Sequence, residues 1–407
     1  GWTAESFGDV CILVQDSASP TPNGRRLYLG LEHLASGFPA LVGRGSESEV
    51  RSGKTAFRKG DVLFGKLRPY LRKSALVSED GICSTDILVF RASDKILAEF
   101  LCLLTHSDEF VGHAKATTSG VQHPRTSWAS LREFKLHVPP LAEQRKIAGV
   151  LGLVQRAIEQ QERLLQLTAE LKKTLLHQLF TQGLRGEPQK QTEIGPVPES
   201  WEVVTLGELA CKPDGALQTG PFGSQLHKHD YLSEGVGVVN PTHLWDNQIN
   251  HENVPRVSPE TAARLERHRL EVGDILFARR GEIGRHGMVT EKEDGWLCGT
   301  GCFLARVRRK DIDNRFLSYL FSTSGCIAWL NSHAAGAIMP NLNNTVLRTM
   351  PVFFPNLEIQ TKIANCLDAT EQKLAIHQRK LAALAALFRT LLHQLMTARI
   401  RVNELYP

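Results

Sequence analysis

The sequence predicts an α+β protein in which two tandem, pseudo-symmetric α+β globules are separated by two long helices. Three observations lead to this fold class: an internal repeat, short apolar runs broken by turn residues, and two long stretches with a heptad pattern. We expect the two helices to form an intramolecular antiparallel coiled coil, because a lone amphipathic helix of that length cannot bury its apolar stripe. A chain of 407 residues is also too long for one compact core.

The internal repeat appears as matched segments at a nearly constant spacing. LLHQL occurs at 175–179 and again at 391–395, and the same offset aligns Gln144 with Gln360. It also aligns two turn residues of each copy, Gly120 with Gly336 and Pro124 with Pro340. Earlier in each copy the offset is smaller, since GDVLF at 60–64 matches GDILF at 273–277. The chain therefore contains two copies of one module, and the second copy has extra residues.

Each copy begins with a globule of mixed structure. Short apolar runs such as DVLFGKL, TDILVFRA and GDILFAR are bounded by Gly, Pro and Asp, which predicts strands joined by turns. A helical stretch follows at Ala98–Thr105 in the first copy and at Asn314–Ser322 in the second. The globules end at proline residues, Val138-Pro139-Pro140 and Phe354-Pro355.

After these prolines, apolar residues alternate four and three apart over more than four heptads. The apolar positions that we expect to pack in the coiled coil, and to dock partner subunits, are Ile147, Leu151, Val154, Ile158, Leu165, Leu175, Leu179, Ile363, Leu367, Leu374, Leu381, Leu384, Leu391 and Leu395. Gln161 and His377 occupy equivalent positions of this pattern. They either fix the register of the helices or are merely tolerated near solvent.

These patterns set the predicted domain boundaries. They are 1–141 for the first globule, 142–184 for the first long helix, 185–357 for a polar linker with the second globule, 358–400 for the second long helix, and 401–407 for a tail.

Composition excludes several classes of protein. Apolar residues make up 42% and charged residues 22%, which is typical of globular rather than disordered or collagen-like chains. We expect no membrane span, because the uncharged runs are short, and we see no secretory signal at the N-terminus. Eight cysteines without regular spacing suit a reduced, cytoplasmic protein. The net charge of +5 permits a polyanionic partner without requiring one.

Motifs for catalysis, metals and cofactors are incomplete. SGKT at 52–55 resembles the end of a phosphate-binding loop, but Ser48 stands where that motif needs its first glycine. Asn240-Pro241-Thr242-His243 lacks the aromatic residue of a methyltransferase tetrad, so we interpret Asn240-Pro241 as a turn. Cys298 and Cys302 have no second Cys or His pair at zinc spacing, and we interpret them as core residues. We therefore expect no catalytic residue, metal or cofactor in this chain.

Basic residues are concentrated in one part of each globule. The segment 44–73 holds nine Lys or Arg residues against three acidic ones, and arginines surround the equivalent strand of the second copy. The candidate DNA contacts in these segments are Arg44, Arg51, Lys54, Lys66, Arg68, Arg72, Arg279, Arg280 and Arg285. Such side chains are what a phosphate backbone requires, although a solvated surface of mixed charge is the alternative. Recurrence of the cluster in both copies favours nucleic acid.

A polar loop later in each globule carries further candidates. It spans 117–131 in the first copy and 334–347 in the second, and its side chains differ between the copies apart from one Gly and one Pro. The candidates are Gln122, His123, Arg125, Asn341, Asn343 and Asn344. These side chains have the donors and acceptors that read base edges, but they are equally typical of ordinary turns.

The combined pattern resembles the specificity subunit of type I restriction–modification systems. The resemblance covers nearly the whole chain and rests on PPLAEQRKIA at 139–148, PNLEIQTKIA at 355–364 and the heptad helices ending in LLHQL. The linker IGPVPESWEVVTLGEL at 194–209 and the strand GDVLFGKLRP are also similar to that family. The second helix start departs from the family pattern, with Leu-Glu-Ile-Gln-Thr replacing an acidic-Gln-Arg run.

The resemblance implies a non-catalytic, DNA-reading subunit. Its two globules would be target-recognition domains, each binding one half of a split, asymmetric target in double-stranded DNA, while the coiled coil sets the spacer between the halves. The partners implied are two modification subunits, which carry S-adenosylmethionine and methylate adenine, and two restriction subunits, which use ATP and Mg. No membrane partner is implied. Two alternatives stay open: the DNA-recognition subunit of a type IIB or methylation-only complex, and a coiled-coil scaffold that binds proteins.

Overall fold

A computed structural model describes residues 1–210, 215–222, 225–334 and 341–402. Gly336 and Pro340 of the sequence repeat, and the tail beyond residue 402, lie outside the described residues. The chain divides into two compact units, Leu164–His377 as one, and Gly1–Arg163 with Gln378–Pro407 as the other. Each unit therefore contains one globule together with part of both long helices. The predicted boundaries, which separate globules from helices, remain a prediction.

The first unit contains two larger sheets and one two-stranded sheet. Its strands are β1 (Thr3–Ser6), β2 (Cys11–Val14), β3 (Ser17–Ala18), β4 (Leu27–Leu29), β5 (Gly45–Ser46), β6 (Lys54–Phe57), β7 (Val62–Gly65), β8 (Ser74–Leu76), β9 (Gly81–Cys83), β10 (Ile87–Ala92) and β11 (Lys135–Val138). One sheet has the antiparallel order β2-β10-β7-β8, and the other has the order β3-β6-β9-β4-β5 with β4 and β9 parallel. Strand β1 pairs with β11 and closes the globule where the first long helix begins.

Helices of the first globule cover the β2-β10-β7-β8 sheet. They are α1 (Phe7–Val10), α2 (Ala98–Leu104), α3 (Asp108–Ala116) and α4 (Trp128–Leu131), and they are followed by the long helix α5 (Leu141–Gln182). Phe7, Phe64, Phe90 and Phe110 pack against one another in the core between these helices and the sheet. The predicted helical stretch after the strands is confirmed by α2.

The second unit repeats this architecture with additions. Its strands are β12 (Gln189–Thr192), β13 (Gly195–Pro198), β14 (Glu202–Thr205), β15 (Ala216–Thr219), β16 (Tyr231–Leu232), β17 (Val236–Val239), β18 (Leu244–Trp245), β19 (Gln248–Ile249), β20 (Arg256–Val257), β21 (Ile275–Ala278), β22 (His286–Met288), β23 (Leu297–Cys298), β24 (Cys302–Arg306) and β25 (Pro351–Phe354). The sheet β15-β24-β21-β22 corresponds to β2-β10-β7-β8, and the parallel pair β17–β23 corresponds to β4–β9. β14 pairs with β25 as β1 does with β11.

Helices of the second unit occupy matching places. They are α6 (Leu206–Leu209), α7 (Pro259–Arg264), α8 (Asn314–Phe321), α9 (Ser324–His333), α10 (Asn344–Thr349) and the long α11 (Leu357–Met396). The predicted stretch at 314–322 is confirmed by α8. Together the two units confirm the α+β class and the duplication.

The Gly-Asp motif before the central strand has the same structural role in both copies. Gly60 and Gly273 have φ of 89° and 87°, a left-handed conformation that glycine adopts at little cost. The following carboxylates are buried: Asp61 accepts hydrogen bonds from Arg91, and Asp274 accepts them from Arg306. Each carboxylate also accepts the backbone N–H three residues upstream. The motif thus ends a turn and ties its strand to the neighbouring one.

The glutamine of the helix-start motif is fully buried in both copies. Gln144 accepts the N–H of Leu97 through Oε1 and donates through Nε2 to the carbonyls of Lys95 and Pro139. Gln360 makes the same three bonds, accepting from Asp313 and donating to the carbonyls of Asp311 and Pro355. A buried amide satisfies loop groups that no regular element would pair, which explains why glutamine stands here.

The heptad positions of both long helices face protein. Ile147, Leu151, Ile158, Leu179, Ile363, Leu367 and Leu395 are buried, and Val154, Leu165, Leu175, Leu374, Leu381, Leu384 and Leu391 are half-buried. In the first unit, the start of α5 and the end of α11 share one core through residues such as Ile158 and Phe388. In the second unit, the end of α5 and the start of α11 share another through Leu179 and Ile363. Within the described residues, no helix has the length and apolar character needed to cross a membrane.

Candidate nucleic-acid interface

In the first unit, the basic loop after β7 and the polar loop at 117–131 lie side by side. Leu67 and Arg125 form an isolated antiparallel bridge. The Arg68 N–H donates to the carbonyl of Pro124 at 2.8 Å, and the Thr126 N–H donates to the carbonyl of Lys66 at 3.0 Å. Two groups of candidates that are more than fifty residues apart in sequence therefore form one surface, which we call the first loop pair (66–73 and 117–126).

The second unit contains the equivalent arrangement, which we call the second loop pair (279–285 and 341–344). Arg280 and Asn341 form the matching antiparallel bridge. The Leu342 N–H donates to the carbonyl of Arg279 at 3.0 Å, just as Thr126 donates to Lys66. The two loop pairs thus share a backbone scaffold and differ in the side chains that they carry.

Two arginines of the first loop pair have a strained backbone. Arg68 and Arg72 both have φ of 50° and flank a 3-10 turn at Pro69–Leu71. This left-handed conformation costs a non-glycine residue roughly 1–2 kcal/mol, so the surrounding hydrogen bonds must hold it. The Arg72 guanidinium donates to the carbonyl of His106 and to Asp108, which fixes the loop, whereas the side chain of Arg68 is exposed.

The tip of the first loop pair is anchored by an ion pair. The Arg125 guanidinium donates to both carboxylate oxygens of Asp86, at 2.8 and 3.2 Å. Hydrogen bonding from Arg125 holds the pKa of the Asp86 carboxyl below its ordinary value, and partial burial opposes this shift. Gln122 and His123 are exposed at the tip. Arg125 therefore shapes the loop, while the side chains of Gln122 and His123 are exposed to solvent.

The other basic candidates of the first unit differ in exposure. Arg44 is exposed and forms an ion pair with Glu79 at 2.9 Å, and Arg51 is exposed. Lys54 is only 8% exposed, and its ammonium donates to the carbonyl and hydroxyl of Ser52. Lys54 begins strand β6, so SGKT runs into a strand, whereas a phosphate-binding loop leads into a helix. Lys54 is held within the fold and is the least suited of the candidates to contact phosphate.

In the second loop pair, two arginines lie over aromatic rings. The Arg279 guanidinium is 5.7 Å from the centre of the Phe222 ring, and that of Arg285 is 4.8 Å from the Trp245 ring. Arg285 also forms an ion pair with Glu282. Arg280 is exposed at the bridge to Asn341. Sequence reasoning found the arginines but missed both aromatic residues, because no spacing marks an aromatic ring that reaches the surface from a separate loop.

The two asparagines that follow Leu342 have different positions. The Asn343 side-chain oxygen accepts the N–H of Val346 and caps α10, and Ser127 caps α4 in the same way in the first unit. Capping alone accounts for a short polar residue at this place. Asn344 is exposed in the first turn of α10.

The remaining motifs are structural. His243 accepts the Asn240 N–H through Nδ1 within a 3-10 turn, which confirms the interpretation of Asn240-Pro241 as a turn. Cys298 and Cys302 are fully buried in an apolar cluster, which confirms them as core residues, and burial raises the pKa of both thiols. Among the described residues, no three His, Cys, Asp or Glu side chains are grouped to hold a metal ion.

Comparisons with known proteins agree on one family. The model of the type I restriction modification DNA specificity domain matches residues 23–169 and 198–386. The chain is 24% identical over 394 residues to the MjaVIII type I restriction enzyme specificity subunit of Methanocaldococcus jannaschii, covering 93% of this chain and 87% of that protein.

Two solved structures share the fold. The S subunit of a type I restriction–modification system from M. genitalium has a TM-score of 0.61 at 16% identity, covering 97% of this chain and 96% of that one. A chain from a structure on complex assembly and conformational transition of the type I R-M system has a TM-score of 0.58 at 22% identity, covering 97% of both chains.

Proposed function

This chain belongs to the family of type I restriction modification DNA specificity domains, and we propose that it reads a bipartite, asymmetric target in double-stranded DNA. Each loop pair contacts one half-site. The chain itself carries no catalysis. It directs modification subunits that hold S-adenosylmethionine, and restriction subunits that use ATP and Mg, to the sequence that it has bound.

One observation carries this proposal: the same backbone pairing recurs in both units with different side chains. Leu67 pairs with Arg125 in one unit, and Arg280 pairs with Asn341 in the other. A shared scaffold with divergent exposed groups is what two modules need if each reads a different base sequence. The exposed Arg68 and Arg280 supply charge for the phosphate backbone, and the exposed Gln122, His123 and Asn344 supply hydrogen-bonding groups for base edges.

We further propose that α5 and α11 pair as an antiparallel coiled coil that sets the spacer between the half-sites. In support, each unit contains the start of one helix packed with the end of the other. Helices of 42 and 40 residues are each about 60 Å long at 1.5 Å per residue. The outward faces of these helices are the proposed docking surface for the modification subunits.

Mapping of methylated adenines tests the proposal. The chain is expressed with the modification subunit of the same system in a host without other methylation of this kind, and methylated sites are mapped across the genome. We expect one asymmetric motif with two defined halves and an undefined spacer. A continuous motif, or no methylation from an assembled complex, would contradict the proposal. Cleavage of unmodified DNA after adding a restriction subunit distinguishes a full restriction system from a methylation-only one.

Deletion of one heptad from each long helix tests the spacer role. Seven residues correspond to roughly 10 Å of helix, so the spacer should shorten by about three base pairs. A matched variant replaces seven exposed residues by alanine and keeps both helices at full length. An unchanged spacer in the shortened, methylation-competent protein would exclude the spacer role.

Substitution of Arg68 tests the first loop pair. Arg68→Ala should weaken binding to the mapped target and reduce the slope of log affinity against log salt by about one, as expected for loss of one phosphate contact. Lys135→Ala is the control, because Lys135 is exposed on β11, outside the loop pair. Equal slopes for the two variants would remove Arg68 from the interface.

A further inference from the structure

A hairpin of the second unit exposes a tryptophan beside the second loop pair. The hairpin consists of β18 and β19, and its turn residues Asp246 and Asn247 have φ of 44° and 68°. Two left-handed residues make a tight turn that matches the twist of the strands. Trp245 stands at the end of β18 with 60% of its surface exposed. Apolar core packing does not explain a large aromatic side chain in this position.

The hairpin is held rigidly. In the turn, the carboxylate of Asp246 accepts a hydrogen bond from the Lys172 ammonium of α5 at 2.9 Å. Lys172 is mostly buried and also forms an ion pair with Glu371 of α11 at 3.1 Å. The Asn247 side chain is buried and accepts a hydrogen bond from the Ser318 hydroxyl, while its carbonyl accepts the Met288 N–H. The hairpin turn next to the exposed indole is therefore held in place by these hydrogen bonds and ion pairs.

The same indole lies beside the arginines of the second loop pair. The Arg285 guanidinium lies 4.8 Å from the ring centre, and Arg285 belongs to the loop that also presents Arg279 and Arg280. Arginine beside an aromatic face is a common way to bind nucleic acid, because the cation meets phosphate while the ring stacks on a base or sugar.

The first unit uses the equivalent hairpin differently. Its bridge Leu34–Leu41 corresponds to Leu244–Ile249, and both are preceded by a 3-10 turn whose histidine accepts a backbone N–H. This alignment places Ala35 where the second unit has Trp245. Phe38 of the first hairpin is half-buried, and its ring packs against the ring of Phe388 in α11. At this hairpin position, therefore, the second unit has an exposed aromatic residue and the first unit has an alanine.

We propose that Trp245 contacts the target duplex at the half-site read by the second unit, stacking on a base or sugar there, and that Lys172 is the positioning residue that fixes its hairpin. This proposal rests on the proposed function, because it requires that the second unit bind DNA. It adds a DNA contact that lies outside both loops singled out from the sequence.

The experiment uses the assembled complex with its modification subunits and three duplexes: the mapped target, and the same duplex with either half-site scrambled. Affinity is measured by fluorescence anisotropy. Trp245→Ala should weaken binding to the intact target about tenfold, within the range for loss of one stacked base. Trp245→Phe should retain most of the affinity. On the duplex whose second half-site is scrambled, wild type and Trp245→Ala should bind alike.

Val272→Ala is the matched control, because Val272 is an exposed apolar residue in the turn that precedes strand β21. If wild type binds the target and Trp245→Ala binds equally well, the proposed contact is wrong while the proposed function stands. If wild type itself does not distinguish target from scrambled duplex, the proposed function fails first. Loss of affinity on all three duplexes alike would overturn a half-site-specific role.

Lys172 is tested through rescue. Lys172→Met keeps the apolar stem but loses the bond to Asp246, and it should lower target affinity about threefold in a Trp245 background and not at all in a Trp245→Ala background. Lys172→Arg should restore most of the loss. An equal effect in both backgrounds would show that Lys172 acts on stability alone.

Discussion

The two units share the Gly-Asp turn before the central strand and the buried glutamine at the start of each long helix. They differ in the contacts that attach their hairpins to the long helices. In the first unit, Phe38 packs against Phe388, and Gln155 donates to the carbonyl of Pro39. At the equivalent helix positions of the second unit stand Lys172 and Glu371, and Lys172 binds Asp246. The scaffold was kept after duplication, and the contacts that orient the variable hairpins diverged.

This contrast separates two kinds of residue. The Gly-Asp turn and the buried glutamine satisfy backbone and charge inside each globule, so they recur in both copies. Exposed residues of the loop pairs and hairpins, such as Arg68 and Trp245, differ between the copies, as expected if each unit binds a different sequence. Four predictions test this difference between the units, beginning with the substitutions expected to change stability most.

Substitution of the buried carboxylates should cause the largest loss of stability. Asp274→Ala leaves Arg306 and Arg308 without their buried partner and should lower the free energy of unfolding of the second unit by about 3–5 kcal/mol. Asp61→Ala should cost the first unit somewhat less, since only one arginine, Arg91, binds that carboxylate through its side chain. Urea unfolding, monitored by amide hydrogen exchange in each unit, measures the change in free energy of unfolding for both variants. Greater loss in Asp61→Ala would show that the extra arginine contributes nothing.

The buried glutamines should show nearly equal effects in the two copies. Gln144→Leu and Gln360→Leu each leave one N–H and two carbonyls without their partner, and each should cost roughly 3 kcal/mol. Thermal unfolding of the two variants checks this. Gln166→Leu on the surface of α5 serves as the control and should change the unfolding temperature little. A cost in only one copy would break the equivalence.

Acid should destabilise the first unit through His106. Burial lowers the pKa of His106 to about 4, against an ordinary value near 6.5. Below pH 6.5 the His106 side chain binds a proton in the unfolded chain but not in the folded chain. The free energy of unfolding is therefore unaffected by this group at pH 7 and decreases progressively as the pH falls. Between pH 7 and pH 5 the loss is about 2 kcal/mol. Urea unfolding of wild type and His106→Gln at both pH values measures it, and an equal pH dependence in the variant would contradict this role.

The smallest effect concerns the first tryptophan of each copy. Trp2 donates to Glu143 at 3.1 Å, whereas the buried Nε1 of Trp201 has no hydrogen-bond partner. The reason is that Ile359 replaces the acidic residue of the helix-start motif. Ile359→Gln should supply an acceptor and stabilise the second unit by about 1 kcal/mol. Destabilisation by Ile359→Gln in thermal unfolding would show that the site cannot accommodate the amide.

Much of the fold followed from the sequence. The repeat and the heptads predicted two equivalent α+β parts and two long helices, because duplicated residues must meet duplicated surroundings and a 3.5-residue period commits a stretch to helix. The Gly-Asp strands and the helices at 98–105 and 314–322 were also predicted correctly. The division of the chain into two compact units that each contain part of both helices came only from the structure, since compactness depends on contacts between residues far apart in sequence.

The candidate site was predicted only in part. Sequence placed Lys66, Arg68 and Arg280 in basic segments and Gln122, His123 and Asn341 in polar loops, because composition and turn residues are local properties. Only the tertiary structure brought those loops together, assigned Asn343 to a helix cap, buried Lys54, and set Trp245 against Arg285. Local sequence determines which element forms and which groups it carries. Which groups share a surface depends on strand pairing and long-range packing, and those are decided by the whole fold.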